Sequence, residues 1–330
     1  MDHFEKLRCA VKEGAIPENL AMVIHNFYLS YDEAIKENNY TIELIQPLLD
    51  QFLKLVINQL KNPYRFEPYH KHITKPFDYY HFGLDFIRPL VVFEKSTVRG
   101  IEHLNTIENT LANGDNVILL ANHQTEPDPQ AISLLLENSH KKLAQEMIFV
   151  AGHRVISDPL AVPFSIGRNL LCIYSKRHIE TEPELKQEKL SHNQRTMKIM
   201  GQLLDEGGHC IYVAPSGGRD RMGSAGKIEI APFDPQSIEL FWLIAKQAKR
   251  KTHFHPLTLS TYNLLPPPSS VQKELGERRH AHCTPIHLSF SHAIDMEEYP
   301  GSDCIDKKER RQNRADYICN LVTKEYELLG

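Results

Sequence analysis

The chain has 330 residues, 38 Lys and Arg against 42 Asp and Glu, and a formal net charge of −4. A general nucleic-acid binder would be basic, and a membrane-spanning helix would need about 20 consecutive apolar residues; the sequence offers neither. With 41% hydrophobic and 24% charged residues, the composition is that of a globular chain with room for about two domains.

The opening residues Met-Asp-His-Phe-Glu lack the basic and apolar regions of a secretory signal and are too acidic for a transit peptide. Leu20, Val23, Ile24, Phe27, Tyr28, Tyr31 and Ile35 recur at helical spacing after Pro17. Ile45, Leu48, Leu49, Phe52, Leu55, Val56 and Gln59 repeat the pattern, with Pro47 expected in a first turn or at a kink. Residues 1–75 are therefore expected to form a small helical bundle, ending where Asn62-Pro63-Tyr64 and Lys75-Pro76-Phe77 punctuate the chain. Beyond that, strand-like runs at 116–121, 147–151, 170–174, 209–214, 254–260 and 286–290 alternate with helical stretches at 129–138 and 191–206. Ser191 with Gln194 fits a capping box, and Gly207-Gly208 fits a stop. Residues 76–330 thus read as an α/β domain with a mixed, mostly parallel sheet flanked by helices. Residues that do chemistry are expected just past the C-terminal strand ends. The six cysteines form no CxxC pair, and Cys172 and Cys210 sit in apolar runs; buried thiols in a reducing compartment are expected.

Three strand ends carry candidate chemistry. After 116–121 come Asn122-His123-Gln124-Thr125-Glu126-Pro127-Asp128. Two prolines, Pro127 and Pro129, favour a loop in which His123 and Asp128 can meet, leaving the other imidazole nitrogen as a general base. The competing reading of Asp128-Pro129 is an ordinary helix cap. After 209–214 comes Pro215-Ser216-Gly217-Gly218-Arg219-Asp220-Arg221. Arg219 and Arg221, two apart, would point the same way from an extended segment and could fork onto phosphate oxygens. It is not a Walker A loop. After 170–174 comes Ser175-Lys176-Arg177-His178, either a basic turn or a further contribution to an anion site.

His280, His282, Cys283 and His287 match no standard zinc spacing, so no metal is expected. HExxH, GxSxG and GxGxxG motifs are absent. The basic clusters Lys246, Lys249, Arg250, Lys251 and Lys307, Lys308, Arg310, Arg311, Arg314 fit solvated faces, or a docking surface for an acidic protein.

The stretch Asn122 to Asp128 resembles the HxxxxD motif of glycerolipid acyltransferases. Its combination with Pro-Ser-Gly-Gly-Arg-Asp-Arg, with Phe149-Val150-Ala151-Gly152, Asp158-Pro159-Leu160, the run from Pro163 to Leu170 and Pro266-Pro267-Pro268 resembles the soluble glycerol-3-phosphate acyltransferases of plastid and chlamydial type. The likeness covers nearly the whole chain. It implies an N-terminal four-helix bundle before the α/β domain. It also implies transfer of a fatty acyl group from acyl carrier protein or coenzyme A thioester to the first hydroxyl of glycerol-3-phosphate. By the motif, His123 would be the general base and Asp128 its partner, with Arg177, His178, Arg219 and Arg221 binding the phosphate. No cofactor or metal is implied. The expected partners are glycerol-3-phosphate and the acyl donor, with peripheral membrane contact for product release and no nucleic acid. The expected compartment is a bacterial cytoplasm, or the plastid stroma for a plant mature form. Arg177 and Pro127 depart from the plant pattern, which has Lys and Ala there. Two readings compete: an acyltransferase that uses an already acylated glycerol phosphate, and a non-catalytic phosphoester-binding protein.

Overall fold

The structure, a computed structural model, describes residues 1–181, 183–268 and 277–329, with only the backbone of Lys176, Arg177 and Thr181. Three helices open the chain: α1 (His3–Lys12), α2 (Glu18–Glu37) and α3 (Ile42–Lys61). The predicted apolar stripes line up inward, and Ile24, Tyr28, Tyr31, Ile35, Leu49 and Val56 are fully buried. Pro47 lies inside α3 rather than in its first turn. The fourth helix of this group, α4 (Tyr79–Ile87), follows residue 75, and its Phe82, Leu84 and Phe86 share one core with α2 and α3.

A short strand, β1 (Tyr69–His70), precedes α4. The rest of the chain runs β2 (Thr97–Arg99), α5 (Ile101–Ala112), β3 (Asn116–Ala121), α6 (Asp128–Leu136), α7 (Lys141–Glu146), β4 (Ile148–Gly152), α8 (Val162–Ser165), β5 (Asn169–Ile173), α9 (Lys176–Thr181), α10 (Lys186–Glu206) and β6 (Cys210–Val213). A small hairpin, β7 (Arg221–Met222) and β8 (Ile228–Glu229), is followed by α11 (Pro235–Gln247), β9 (Thr252–Ser260), β10 (His287–Phe290) and α12 (Lys307–Leu329). Eight strands form one sheet in the order β1-β5-β4-β6-β3-β9-β10-β2. The five central strands, β5, β4, β6, β3 and β9, are parallel, whereas β1 and β10 run antiparallel to their inner neighbours. The sheet is therefore mixed and mostly parallel.

Helices cover both faces, which is why the central strands are apolar throughout rather than alternating. On one face Val117, Leu119, Phe149, Cys172 and Tyr212 pack with Leu104 of α5 and with Ile132 and Leu136 of α6. On the other, Ile118, Leu120, Leu171 and Val213 meet α10, α11 and α12. The α1–α4 core continues into Ala131 and Leu134 of α6. The helix expected from 191 begins at Lys186, so Ser191 and Gln194 lie within it and form no cap there. It stops at Gly207, whose φ of +85° suits glycine and where a Cβ would lie 2.2 Å from the Gly114 carbonyl oxygen. All six cysteines are free, and Cys172 and Cys210 are buried.

Candidate active site

The register of the parallel strands brings the candidate residues together. Leu120 of β3 pairs with Val213 of β6, and Ala121 with Leu257 of β9. The loops after β3 and β6 therefore leave the same sheet edge at the same height. Asn122 extends the ladder by one side chain: its amide accepts from the Leu259 N–H (2.8 Å) and donates to the Leu259 carbonyl (3.0 Å). The Tyr212 hydroxyl donates to the Asn122 carbonyl at 2.9 Å.

His123 and Asp128 meet, with Nδ1 2.8 Å from Oδ2. Asp128 is buried and does not cap α6. Its oxygens instead accept the N–H groups of Gln124 (2.9 Å) and Thr125 (3.2 Å), upstream of the helix, and the Thr261 hydroxyl (2.6 Å). With so many donors converging, the carboxylate is the acceptor and His123 Nδ1–H the donor. That fixes the tautomer and leaves Nε2 with a lone pair. The His123 side chain keeps 30% of its exposure, so a substrate can reach it.

Asp220 joins the two loops. Its N–H donates to the His123 carbonyl at 2.6 Å, and its carboxylate accepts from Asn122 (2.9 Å), Gln124 (3.2 Å) and the Ala231 N–H (2.9 Å). Burial pushes its carboxyl above the ordinary range, against these donors. Gly217 makes the turn before it at a φ of +63°. Arg219 and Arg221 flank Asp220 and lie close enough for Arg221 to feel the charge of Arg219. Arg219 pairs with the buried carboxylate of Glu277, which also accepts from Arg154 at 2.6 Å. Arg221 donates to the Asp220 carbonyl at 3.3 Å; burial and the neighbouring Arg219 lower its guanidinium below the ordinary value.

His178 reaches this cluster indirectly. Its Nδ1 lies 2.9 Å from Ser175 Oγ, and its ring faces His153, 5.6 Å between centroids. His153 precedes the Arg154 that shares Glu277 with Arg219. The Arg177 side chain lies outside the described residues.

A second buried network was not legible as a motif. Arg279 grips Glu126 of the His123 loop through two bonds (2.7 and 2.9 Å) and Asp158 at 3.2 Å. Burial opposes its charge, but Glu126 and Asp158 outweigh that and hold the guanidinium above its ordinary value. The sequence hints available were Glu126 inside the motif and Asp158 before a proline.

His123, Glu126 and Asp128 also line a cavity of about 160 Å³ whose wall is otherwise largely apolar. Phe149, Ala151 and Leu160 line it too, as do Ile24, Phe27, Phe52 and Phe86 of α2, α3 and α4 and Phe164 of α8. The arrangement sets a His–Asp pair beside an arginine–glutamate cluster and a largely apolar cavity.

The basic cluster at 246–251 is placed elsewhere. Lys251 bonds Asn116, the first residue of β3, whereas His123 follows the last. Lys246 pairs with Glu297, and Lys249 lies near Asp205.

Residues 95–260 match the family described as Acyltransferase, half of the chain. The chain is 38% identical to the chloroplastic glycerol-3-phosphate acyltransferase ATS11 of Cucurbita moschata over 98% of its own length and 73% of the relative's. It is 35% identical to the chloroplastic glycerol-3-phosphate acyltransferase of Arabidopsis thaliana over 100% and 72%. The 1-acyl-sn-glycerophosphate acyltransferase PlsC of Thermotoga maritima superposes at a TM-score of 0.43 with 15% identity, covering 94% of this chain and 97% of that one. The chain belongs to the acyltransferase family. Within that family it belongs with the plastid-type glycerol-3-phosphate acyltransferases.

Proposed function

We propose that the protein transfers a fatty acyl group from a thioester to the C1 hydroxyl of glycerol-3-phosphate, giving 1-acyl-glycerol-3-phosphate. The observation that carries this reading is the single site in which a His–Asp pair joins an arginine cluster to an apolar cavity. Arg219 and Arg221, with Arg177 and His178, hold the phosphate. His123 Nε2 takes the proton of the acceptor hydroxyl as its oxygen attacks the thioester carbonyl, and Asp128 stabilises the imidazolium. The tetrahedral intermediate then collapses, the carbon–sulfur bond breaks, and the thiolate leaves with a proton. The acyl chain lies in the cavity between the sheet edge and α2–α4. Direct transfer of this kind uses no cofactor. The donor is acyl carrier protein or coenzyme A thioester; a carrier seated on 246–251 would face the wrong end of β3. Among the described residues no helix is long and apolar enough to cross a membrane, in keeping with action on a water-borne acceptor in a plastid stroma or bacterial cytoplasm, with peripheral contact releasing the product.

The test is to incubate the purified protein with acyl-carrier thioester and glycerol-3-phosphate, following free thiol and acylated product. Matched appearance of thiol and 1-acyl-glycerol-3-phosphate is expected. Thiol release that does not depend on glycerol-3-phosphate would overturn the reading. Parallel reactions with acyl-CoA and with lysophosphatidate assign donor and acceptor.

A further inference from the structure

Two residues of one short segment, Glu277 and Arg279, touch both halves of the polar site. The Glu277 carboxylate holds Arg219 of the loop after β6 and Arg154 beyond β4. Arg279 holds Glu126 of the loop after β3, and Asp158. Arg279 also donates to the Glu277 carbonyl at 2.8 Å, which closes the segment on itself. Glu277 is 5% exposed and the Arg279 side chain 10%, so these bonds are well shielded from water.

Glycerol-3-phosphate presents two hydroxyls to a base. They sit on adjacent carbons, about 1.5 Å apart along the chain. A base can select one of them only if its distance from the phosphate seat is fixed more tightly than that. Asp220 fixes the backbones of the two loops relative to each other. The guanidinium of Arg219 extends well beyond its backbone, and Glu277 is the side chain that holds it. We propose that Glu277 and Arg279 are positioning residues that set the span between the phosphate seat and His123 and so decide which hydroxyl is acylated. The inference rests on the reading of Arg219 and Arg221 as the phosphate seat.

Charge agrees with this role. Three guanidinium groups, those of Arg154, Arg219 and Arg221, face one carboxylate, Glu277. Arg221 feels the like charge of Arg219, a repulsion that a phosphate monoester of about −1.5 to −2 at neutral pH would relieve. Glu277 aligns Arg219 within this group.

The experiment compares Glu277→Gln, Arg279→Lys and Arg219→Ala with the parent chain. The readouts are KM for each substrate, kcat, thermal melting, and the ratio of 1-acyl to 2-acyl product quenched before acyl migration. Glu277→Gln is expected to raise KM for glycerol-3-phosphate about tenfold while the donor KM stays within about twofold. Arg279→Lys is expected to lower kcat by about tenfold or more, and both variants to raise the 2-acyl share about tenfold. Should Arg279→Lys not fold, the isosteric Glu277→Gln decides. Parent values of acceptor KM and isomer ratio in Glu277→Gln and Arg279→Lys, beside a raised acceptor KM in Arg219→Ala, would overturn the inference alone. An unchanged acceptor KM in Arg219→Ala would overturn the phosphate reading, and the inference with it.

Discussion

His123 has two surroundings, built by different rules. The loops beyond the strands hold Arg219, Glu277, Arg154, Arg279, Glu126 and Asp158 in bonded pairs, each fixed by a named partner. The cavity wall made by Ile24, Phe27, Phe52, Phe86 and Phe164 is fixed by shape and volume. In the first region removing a shared group, Glu277 or Arg279, takes the counter-ion from shielded charges, a cost far above that of losing a contact. In the second, a change of size moves the wall but strands no charge.

The contrast is tested most severely at its centre. His123→Ala removes the proposed base and is expected to lower kcat by about 10²–10⁴-fold, with melting temperature nearly unchanged because the ring is partly exposed. Near-normal acyl transfer in this variant would dissolve the distinction between the pair and its surroundings. Arg219→Ala comes next. Loss of charge-assisted bonds to phosphate should raise KM for glycerol-3-phosphate by roughly 10–100-fold and leave the donor KM alone. Equal losses for both substrates would mean that the polar region does not serve one substrate. On the apolar side, Ala161→Leu adds bulk to the cavity wall. Relative kcat/KM is expected to shift toward shorter acyl chains by about tenfold, with acceptor KM unchanged. A chain-length profile identical to that of the parent would remove the acyl chain from this cavity.

The smallest effect concerns pH. Burial holds the imidazoles of His70 and His255 below the ordinary value of 6.5. At these two sites the folded chain therefore binds fewer protons than the unfolded chain once pH falls below 6.5. Stability is expected to be level above that pH and to decline below it, until the depressed folded values are reached. Melting curves between pH 7.5 and 5 should show the decline, and His255→Gln should make it shallower. Neither histidine lies in the His123 loop or the cavity wall, so acid loss of fold and acid loss of turnover should separate in His255→Gln.

The sheet was legible because its central strands are short apolar runs bounded by breakers. The predicted run at 116–121 coincides with β3, and the others fall within two residues of their strands. His123 and Asp128 were legible because five residues separate them and the loop between is marked by prolines. The cap reading of Asp128 fails because its oxygens turn back to Gln124 and Thr125. Arg154, Glu277 and Arg279 were not legible. Their bonds join residues 58, 123 and 153 positions apart, and no local spacing records a contact made by chain crossing. The start of α10 was misplaced for the opposite reason: a local capping pattern at Ser191 yielded to the helix continuing back to Lys186.

The cavity has a consequence for how such an enzyme can diverge. Ile24, Phe27, Phe52 and Phe86 in its wall belong to α2, α3 and α4, while His123 and Arg219 belong to loops after β3 and β6. The seam between them is the part of the lining that holds His123, Glu126 and Asp128. Substitutions far from that seam have no shared partners, and their effects should add. On the proposed reading, drift in the amino-terminal helices retunes the length of acyl chain a lineage uses, while the reaction itself stays under purifying selection.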